Sequence, residues 1–195
     1  FPELQEILCF SEERVTRLYN EESDLGNLYA DIIRAKVGAE IGFMPSGALR
    51  KDLPKGNVPL MDVIDSFPFT DRVAELEMTG RQILAVLEQS LTLERGMLQV
   101  SGLRVDYDLN RPVGNRVVSV QVNGVDLNLA QFYRVSTVEI MAQGGDLFTT
   151  FRKATRIERP DIRFSEVLTE RLREMGKLVI PKRGRLLPYR ILGKS

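Results

Sequence analysis

Three short segments of the sequence carry side chains suited to holding a small ligand. Pro45–Arg50 ends in Arg50, whose planar guanidinium can pair with a phosphate or a carboxylate. Gln143–Asp146 has two glycines that permit close backbone approach, followed by Asp146, whose carboxylate can accept from sugar hydroxyls. Phe67–Phe69 places an aromatic beside a proline, and such a ring can stack on a nucleobase.

Each of these segments also has an ordinary structural explanation. A lone arginine in a loop is commonly a solvated charge, and the glycine pair before Asp146 is typical of a tight turn with a local hydrogen bond. Most phenylalanines are core residues, so one of Phe67 and Phe69 is expected to be buried. Both interpretations stay open for each segment.

A fourth segment, Ser23–Leu28, is unusual because Gly26 and Asn27 are poor residues for a helix interior. They nevertheless fall in the first turn of a predicted helix. Asn27 is therefore a candidate ligand contact, and the alternative is close packing of that turn against a strand.

The composition excludes several classes of chemistry. The 195 residues include no histidine and one cysteine, Cys9. Most catalytic zinc sites and Ser-His or Cys-His nucleophiles need histidine, and the acidic residues are too dispersed for a calcium loop. We therefore predict no catalytic residue, no metal site and no cofactor in this chain, and an intrachain disulfide is impossible.

Charge and hydropathy exclude two kinds of partner. The 27 basic and 27 acidic side chains balance, so no whole-chain attraction to nucleic acid or anionic lipid is expected. No apolar run approaches the roughly 20 residues that span a bilayer. The sequence begins at Phe1 without an initiator methionine, so we expect a processed product or a fragment of a longer protein.

Hydrophobic periodicity predicts the elements that would position these side chains. Ser23 or Asp24 can cap the first helix, and Thr79 with Gln82 forms a capping box for another. Asn123-Gly124 predicts a hairpin, and Lys182–Arg185 is predicted to be a solvated tail. The predicted helices are 24–37, 59–66, one opened by Thr79, and 165–175; the predicted strands are 40–44, 74–78, 103–107, 118–122 and 132–140.

Strands grouped between helices indicate an α+β fold rather than strict βαβ alternation. The half-buried strands are expected to point Ala74, Leu76 and Met78 inward, and likewise Val118, Val120 and Val122. We predict one domain over residues 1–195, with its core at about 15–180, layered helices and a mixed, largely antiparallel sheet.

An ordered set of short segments, which includes the candidate ligand-binding loops, makes the sequence resemble the C-terminal domain of the 5′-nucleotidase family. That family includes UDP-sugar hydrolase. No single motif is specific, but the ordered set covers about residues 15–150. The segments that carry the resemblance are 22–31, 46–50, 67–69, 76–80, 98–103, 105–108, 133–135 and 144–146.

The resemblance implies a two-domain phosphoric-ester hydrolase of nucleotide catabolism, located in the periplasm or secreted. Its N-terminal metallophosphatase domain holds two divalent metal ions, and its C-terminal domain recognises the nucleotide. Only the second part is matched, so this chain alone is expected to be inactive. The absence of histidine agrees with a recognition domain without its catalytic partner.

The resemblance also implies substrate-binding roles for individual residues. Arg50 falls on an arginine that contacts substrate, Phe69 on the first of two phenylalanines that sandwich the base, and Asp146 on the aspartate that holds the ribose. Gly145 and Asn27 complete the expected lining.

The sequence departs from the family pattern at three places. Ile140 stands where the second stacking aromatic is expected, and Pro45–Arg50 lacks the asparagine of the pattern Asn-x-Gly-Gly-Ile-Arg. Tyr19–Glu21 supplies none of the arginines expected before the first helix. The alternative hypothesis is therefore a degenerate, non-enzymatic module of a larger secreted protein. Such a module would serve for ligand binding, for docking or for the formation of a homodimer.

Overall fold

Apolar alternation and helical caps in the sequence give rise to the elements of the fold. The computed structural model describes residues 1–157 and 161–189. The α-helices of this part are α1 Asp24–Val37, α2 Leu60–Ser66, α3 Gly80–Ser90, α4 Glu139–Ala142 and α5 Phe164–Met175. Its strands are β1 Ile7–Ser11, β2 Ile41–Met44, β3 Gly56–Pro59, β4 Val73–Thr79, β5 Gln99–Ser101, β6 Leu103–Tyr107, β7 Val117–Val122, β8 Val125–Asp126, β9 Phe132–Val138, β10 Thr155–Ile157 and β11 Leu186–Pro188.

The strands form three sheets that are mixed but mainly antiparallel. The central sheet has the order β10-β4-β9-β2-β5, a second has β11-β6-β7-β8, and β1 pairs with β3. Only the β2–β9 and β6–β11 pairs are parallel among the described strands. The predicted α+β class with a largely antiparallel sheet is therefore confirmed.

Helix α1 begins and ends where its capping residues predict. The Ser23 hydroxyl accepts a hydrogen bond from Gly26 N at 3.0 Å, and Gly38 ends the helix in the left-handed conformation at φ 63°. The capping box of Thr79 and Gln82 at the start of α3 is also present. Local side-chain chemistry thus fixes the ends of both helices.

The glycine in the first turn of α1 allows a close approach to β5. A Cβ atom on Gly26 would lie 2.2 Å from Cγ of Gln99, which is fully buried. The Gln99 side chain is itself fixed, because its Oε1 accepts from Ser23 N at 2.8 Å and its Nε2 donates to Glu21 O at 3.0 Å. Close packing of this turn, one of the two interpretations of Ser23–Leu28, is what the structure shows.

Two strand predictions need correction. The segment 132–140 is not all strand, because the last β4–β9 pair is Val73 with Val138 and the chain then enters α4. Glu139 N donates to Arg72 O at 2.9 Å, which turns the backbone away from the sheet. Ile140 therefore lies on a short helix.

The second correction concerns β7, where the predicted inward residue Val118 is 38% exposed. The register shifts between Asp106 and Tyr107, so Tyr107 pairs with Val117. A bulge of this kind moves a side chain to the other face of the sheet.

Burial in β4 also exceeds the prediction of a half-buried strand. Glu75 is fully buried although it alternates with apolar residues. The Nε of Arg134 on the neighbouring β9 donates to Glu75 Oε1 at 2.9 Å, which compensates the burial of that carboxylate. The sequence pattern alone cannot distinguish a carboxylate on the solvent face from one paired inside the protein.

The basic segment 182–185 is not a solvated tail. Arg185 leads directly into β11, which pairs with β6, and its Nη1 and Nη2 atoms contact Asp31 Oδ1 and Oδ2 at 2.7 and 2.8 Å. Arg183 Nε donates to Asp24 Oδ1 at 2.9 Å. Carboxylates on α1, far away in the sequence, hold these arginines in place.

Replacing Gly26 with alanine tests the close packing of α1 on β5. The added methyl would displace Gln99 and disrupt its buried hydrogen bonds, so we expect Gly26→Ala to lower the free energy of unfolding by about 1–3 kcal/mol. Chemical denaturation followed by circular dichroism measures this change.

Gly47→Ala is the matched control, because a Cβ atom there would meet nothing closer than Tyr19 Cε2 at 3.6 Å. We expect this control to change the unfolding free energy by less than about 0.5 kcal/mol. Equal stability of the two variants would contradict the packing argument.

Candidate functional site

One cavity brings together most of the residues singled out in the sequence. Its volume is about 340 Å³, and it lies beyond the end of β2 and β9. Arg50, Phe69, Ile140 and Asp146 all line it, although three separate parts of the chain contribute them. Its full lining is Pro45, Gly47, Ala48, Arg50, Phe67, Phe69, Asp71, Val138, Ile140 and Asp146.

The loop that follows β2 holds Arg50 by backbone contacts. Arg50 N donates to Ser66 O at 2.9 Å, and its Nε donates to Gly47 O at 2.8 Å. The guanidinium carbon lies 5.3 Å from the centroid of the Phe69 ring, a distance at which a cation is attracted to a ring face. These contacts keep an exposed positive charge at the mouth of the cavity.

The two phenylalanines have different environments, as the sequence predicted. Phe67 is buried and packs edge-on against Phe164, with the ring centroids 5.1 Å apart. Phe69 is half-buried and rests edge-on against Phe67 at 5.5 Å. Phe67 thus anchors the segment in the core, and Phe69 presents an aromatic surface to the cavity.

Asp146 projects from a short 3-10 turn with an unusual backbone. Asp146 and Leu147 both have positive φ angles, 52° and 68°. The turn also packs tightly, because a Cβ atom on Gly145 would lie 2.8 Å from both Ile140 O and Ile140 Cγ1. Gly145 therefore brings the turn against α4 beside the cavity, and the backbone conformation directs Asp146 into it.

Asn27 is the one predicted site residue that lies elsewhere. It is fully buried on α1, and its Nδ2 donates to Glu22 Oε2 at 2.7 Å. The prediction that Asn27 contacts the ligand needs correction, because its amide is buried away from the cavity and binds a carboxylate of the same chain.

Two residues beside the cavity escaped the sequence analysis. Asp71 lines the cavity, and its Oδ1 accepts a hydrogen bond from Ile140 N at 3.2 Å. Arg17 Nη1 donates to Leu49 O at 3.2 Å, so a second guanidinium lies next to the loop that carries Arg50. Only the position of Asp71 two residues after Phe69 could have suggested it.

A larger opening of about 770 Å³ lies between α1, β6 and the β7–β8 hairpin. Two of the three arginines that line it are engaged within the protein: Arg185 with Asp31, and Arg34 with Asn123 Oδ1 at 3.0 Å. The third, Arg104, lies 3.9 Å from Asp106 Oδ2. Volume alone would favour this groove, but it contains no aromatic side chain, so we place the candidate site at the smaller cavity.

The described residues contain no group of three or more cysteine, aspartate or glutamate side chains that could hold a metal ion. None of the described helices is both long and apolar enough to cross a membrane. The cavity instead combines an exposed cation, an aromatic surface and two carboxylates, an arrangement that suits an anionic ligand with a flat ring and hydrogen-bond donors.

Comparison with known proteins gives one consistent result. Residues 6–153 match the family described as "5'-nucleotidase, C-terminal domain". The chain is 34% identical over 175 residues to the trifunctional nucleotide phosphoesterase protein YfkN of Bacillus subtilis, covering 83% of this chain and 12% of that protein. It is 30% identical over 194 residues to a 5'-nucleotidase-related protein of Glossina morsitans morsitans, covering 86% and 35%.

A solved structure shows the same fold. The crystal structure of a 5'-nucleotidase precursor from Thermus thermophilus superposes with a TM-score of 0.90 at 29% identity, over 96% of this chain and 40% of that one. The chain therefore spans well under half the length of these relatives.

The positive φ of Asp146 predicts how substitutions there affect stability. Alanine tolerates the left-handed conformation poorly, whereas asparagine and glycine accept it. We expect Asp146→Ala to lower the unfolding free energy by about 1 kcal/mol and Asp146→Asn to leave it nearly unchanged. Thermal denaturation of the two variants measures the difference.

Asp146→Gly serves as the control, because it removes the carboxylate without straining the backbone. A loss of stability in this variant equal to that in Asp146→Ala would show that the side chain, rather than the φ angle, is responsible.

Proposed function

This chain belongs to the family of 5′-nucleotidase C-terminal domains, and on that premise we propose that it recognises the nucleotide substrate of a phosphoric-ester hydrolase. The observation that carries this proposal is the convergence of Arg50, Phe69 and Asp146 on one cavity. We further propose that residues 1–195 form one recognition domain and that the metallophosphatase site belongs to another domain of the same protein.

Each side chain would bind a different part of a nucleotide. The guanidinium of Arg50 would pair with the phosphate, and Arg17 would add positive charge in place of the arginines missing from Tyr19–Glu21. The exposed surface of the Phe69 ring would stack on the base. The Asp146 carboxylate would accept hydrogen bonds from the ribose hydroxyls.

The role of the chain in hydrolysis would be to position the substrate. Two divalent metal ions held by the other domain would supply the chemistry that activates water for attack on phosphorus and stabilises the charge on the nucleoside oxygen that leaves. Within the part of the chain that the structure describes, no cluster of three or more carboxylate or thiol side chains is placed to hold such metals. Arg50 would hold the phosphate, Asp146 the ribose and Phe69 the base, so that the phosphate is presented to the partner domain in a fixed orientation.

We propose that the parent protein acts in the periplasm or as a secreted enzyme of nucleotide catabolism. The naming of the Thermus thermophilus relative as a precursor supports an exported protein. A homodimer is compatible with this proposal, and light scattering of the chain at high concentration tests it.

Calorimetric titration with adenosine and AMP tests nucleotide recognition directly. We expect binding of both, and we expect Phe69→Ala to weaken both about tenfold or more because stacking on the base is lost. Arg50→Ala should lower the affinity for AMP about tenfold and change the affinity for adenosine little, since only AMP carries the phosphate that the guanidinium would bind.

Phe132→Ala is the matched control, because Phe132 is a 59% exposed aromatic at the opposite end of β9. Its affinities should equal those of the unmodified chain. No binding at millimolar ligand would contradict the proposal and favour the degenerate docking module instead.

The isoleucine at position 140 predicts a gain in affinity. Ile140 lines the cavity and is 45% exposed, so a larger side chain has space there. We expect Ile140→Phe to supply a second stacking surface and to tighten adenosine binding about fivefold to a hundredfold.

Val125→Phe controls for added aromatic surface, because Val125 is 69% exposed on β8 and does not line the cavity. Unchanged adenosine affinity in Ile140→Phe would mean that Ile140 does not form the second wall of the base site.

A further inference from the structure

The backbone on both sides of Asp71 is firmly held. Phe164 N donates to Asp71 O at 2.9 Å, and Glu139 N donates to Arg72 O at the same distance. The first hydrogen bond joins Asp71 to the start of α5, and the second joins the next residue to the start of α4. The Asp71 carboxylate therefore projects from a fixed point at the edge of the central sheet.

Asp71 lines the same cavity as Phe69 and Ile140. Asp71 follows Phe69 by two residues, and its Oδ1 accepts from Ile140 N at 3.2 Å. A ring stacked on Phe69 in this cavity would lie beside Asp71, because both residues line it. Within the described residues, the second oxygen, Oδ2, takes part in no hydrogen bond, so it is available to a ligand.

Within the described residues no arginine or lysine forms an ion pair with the Asp71 carboxylate, although Arg163 and Arg50 also line its two cavities. The Arg72 guanidinium pairs with Asp161 and lies 3.6 Å from Glu139 Oε2. A second cavity of about 290 Å³ shares Asp71 and Ile140 with the first, and Gln143 and Arg163 also line it. This adjoining space can accept a substituent on the edge of a bound ring.

A carboxylate only accepts hydrogen bonds, so it selects ring edges that donate. The Watson–Crick edge of guanine presents two adjacent donors, N1–H and the N2 amino group. The same edge of adenine presents one donor and the N1 acceptor, which a carboxylate would repel. We propose that Asp71 determines base specificity and that the site prefers guanine nucleotides over adenine nucleotides.

This inference rests on the proposed nucleotide-recognition function and is tested by titrating the chain with guanosine, inosine and adenosine. Guanosine should bind about tenfold or more tightly than adenosine, because hydrogen bonds to a charged group are strong and a mismatched pair is costly. Inosine keeps N1–H but lacks the N2 amino group, so its affinity should lie between the other two.

The variant Asp71→Asn makes the test specific to the carboxylate. Asparagine retains an oxygen for Ile140 N and replaces the free oxygen by an NH₂ donor. Guanosine affinity should fall about tenfold or more, and adenosine affinity should stay the same or rise. Asp126→Asn makes the same charge change on β8, outside both cavities, and should alter neither affinity.

The outcomes separate the two proposals. Binding of all three nucleosides with equal affinity, or a guanosine preference that survives in Asp71→Asn, overturns the role of Asp71 but leaves nucleotide recognition intact. Binding of none of them, together with no binding of AMP, overturns nucleotide recognition itself. If thermal denaturation shows that Asp71→Asn fails to fold, the affinity order of the unmodified chain still tests the preference for guanine, and any order other than guanosine, inosine, adenosine overturns it.

Discussion

The buried carboxylate of Glu22 joins the first helix to the last described strand, and much of the fold depends on this connection. Glu22 is only 6% exposed. Its oxygens accept from the backbone N–H groups of Gly184, Arg185 and Leu186 at 2.9–3.0 Å and from the Asn27 amide. Without these donors the negative charge would be buried at a high energetic cost, and without the carboxylate these donors would lack their partner.

The same connection helps to determine where the candidate site lies. Glu22 fixes the start of α1, and α1 packs along β2 and β5 of the central sheet. Strand β2 ends at the loop that carries Arg50, and its parallel neighbour β9 ends at α4, which carries Ile140. The side chains of the candidate site therefore lie on a loop and a short helix whose starting points are set by two neighbouring strands of the central sheet.

Local signals in the sequence were sufficient for some elements and not for others. The bounds of α1 followed from Ser23, the helical spacing of leucines and isoleucines, and a terminal glycine, all of which act within a few residues. The end of β9 and the pairing of β11 depend on partners far away in the sequence, so alternation and charge patterns misassigned both. At the site, residue types singled out Arg50, Asp146 and the segment with Phe69, and family resemblance assigned their expected roles. Asp71 became visible only when the fold brought it beside Ile140.

The contact between Gly26 and Gln99 has an evolutionary consequence. Gly26 has no side chain, and the buried side chain of Gln99 fills the space that one would occupy, although the two residues lie far apart in the sequence. A larger residue at position 26 can be accommodated only if position 99 becomes shorter and gives up its bonds to Ser23 and Glu21. The two positions are therefore epistatic. A single exchange at either position lowers stability, and only a double exchange that changes both residues together would replace the pair without that loss.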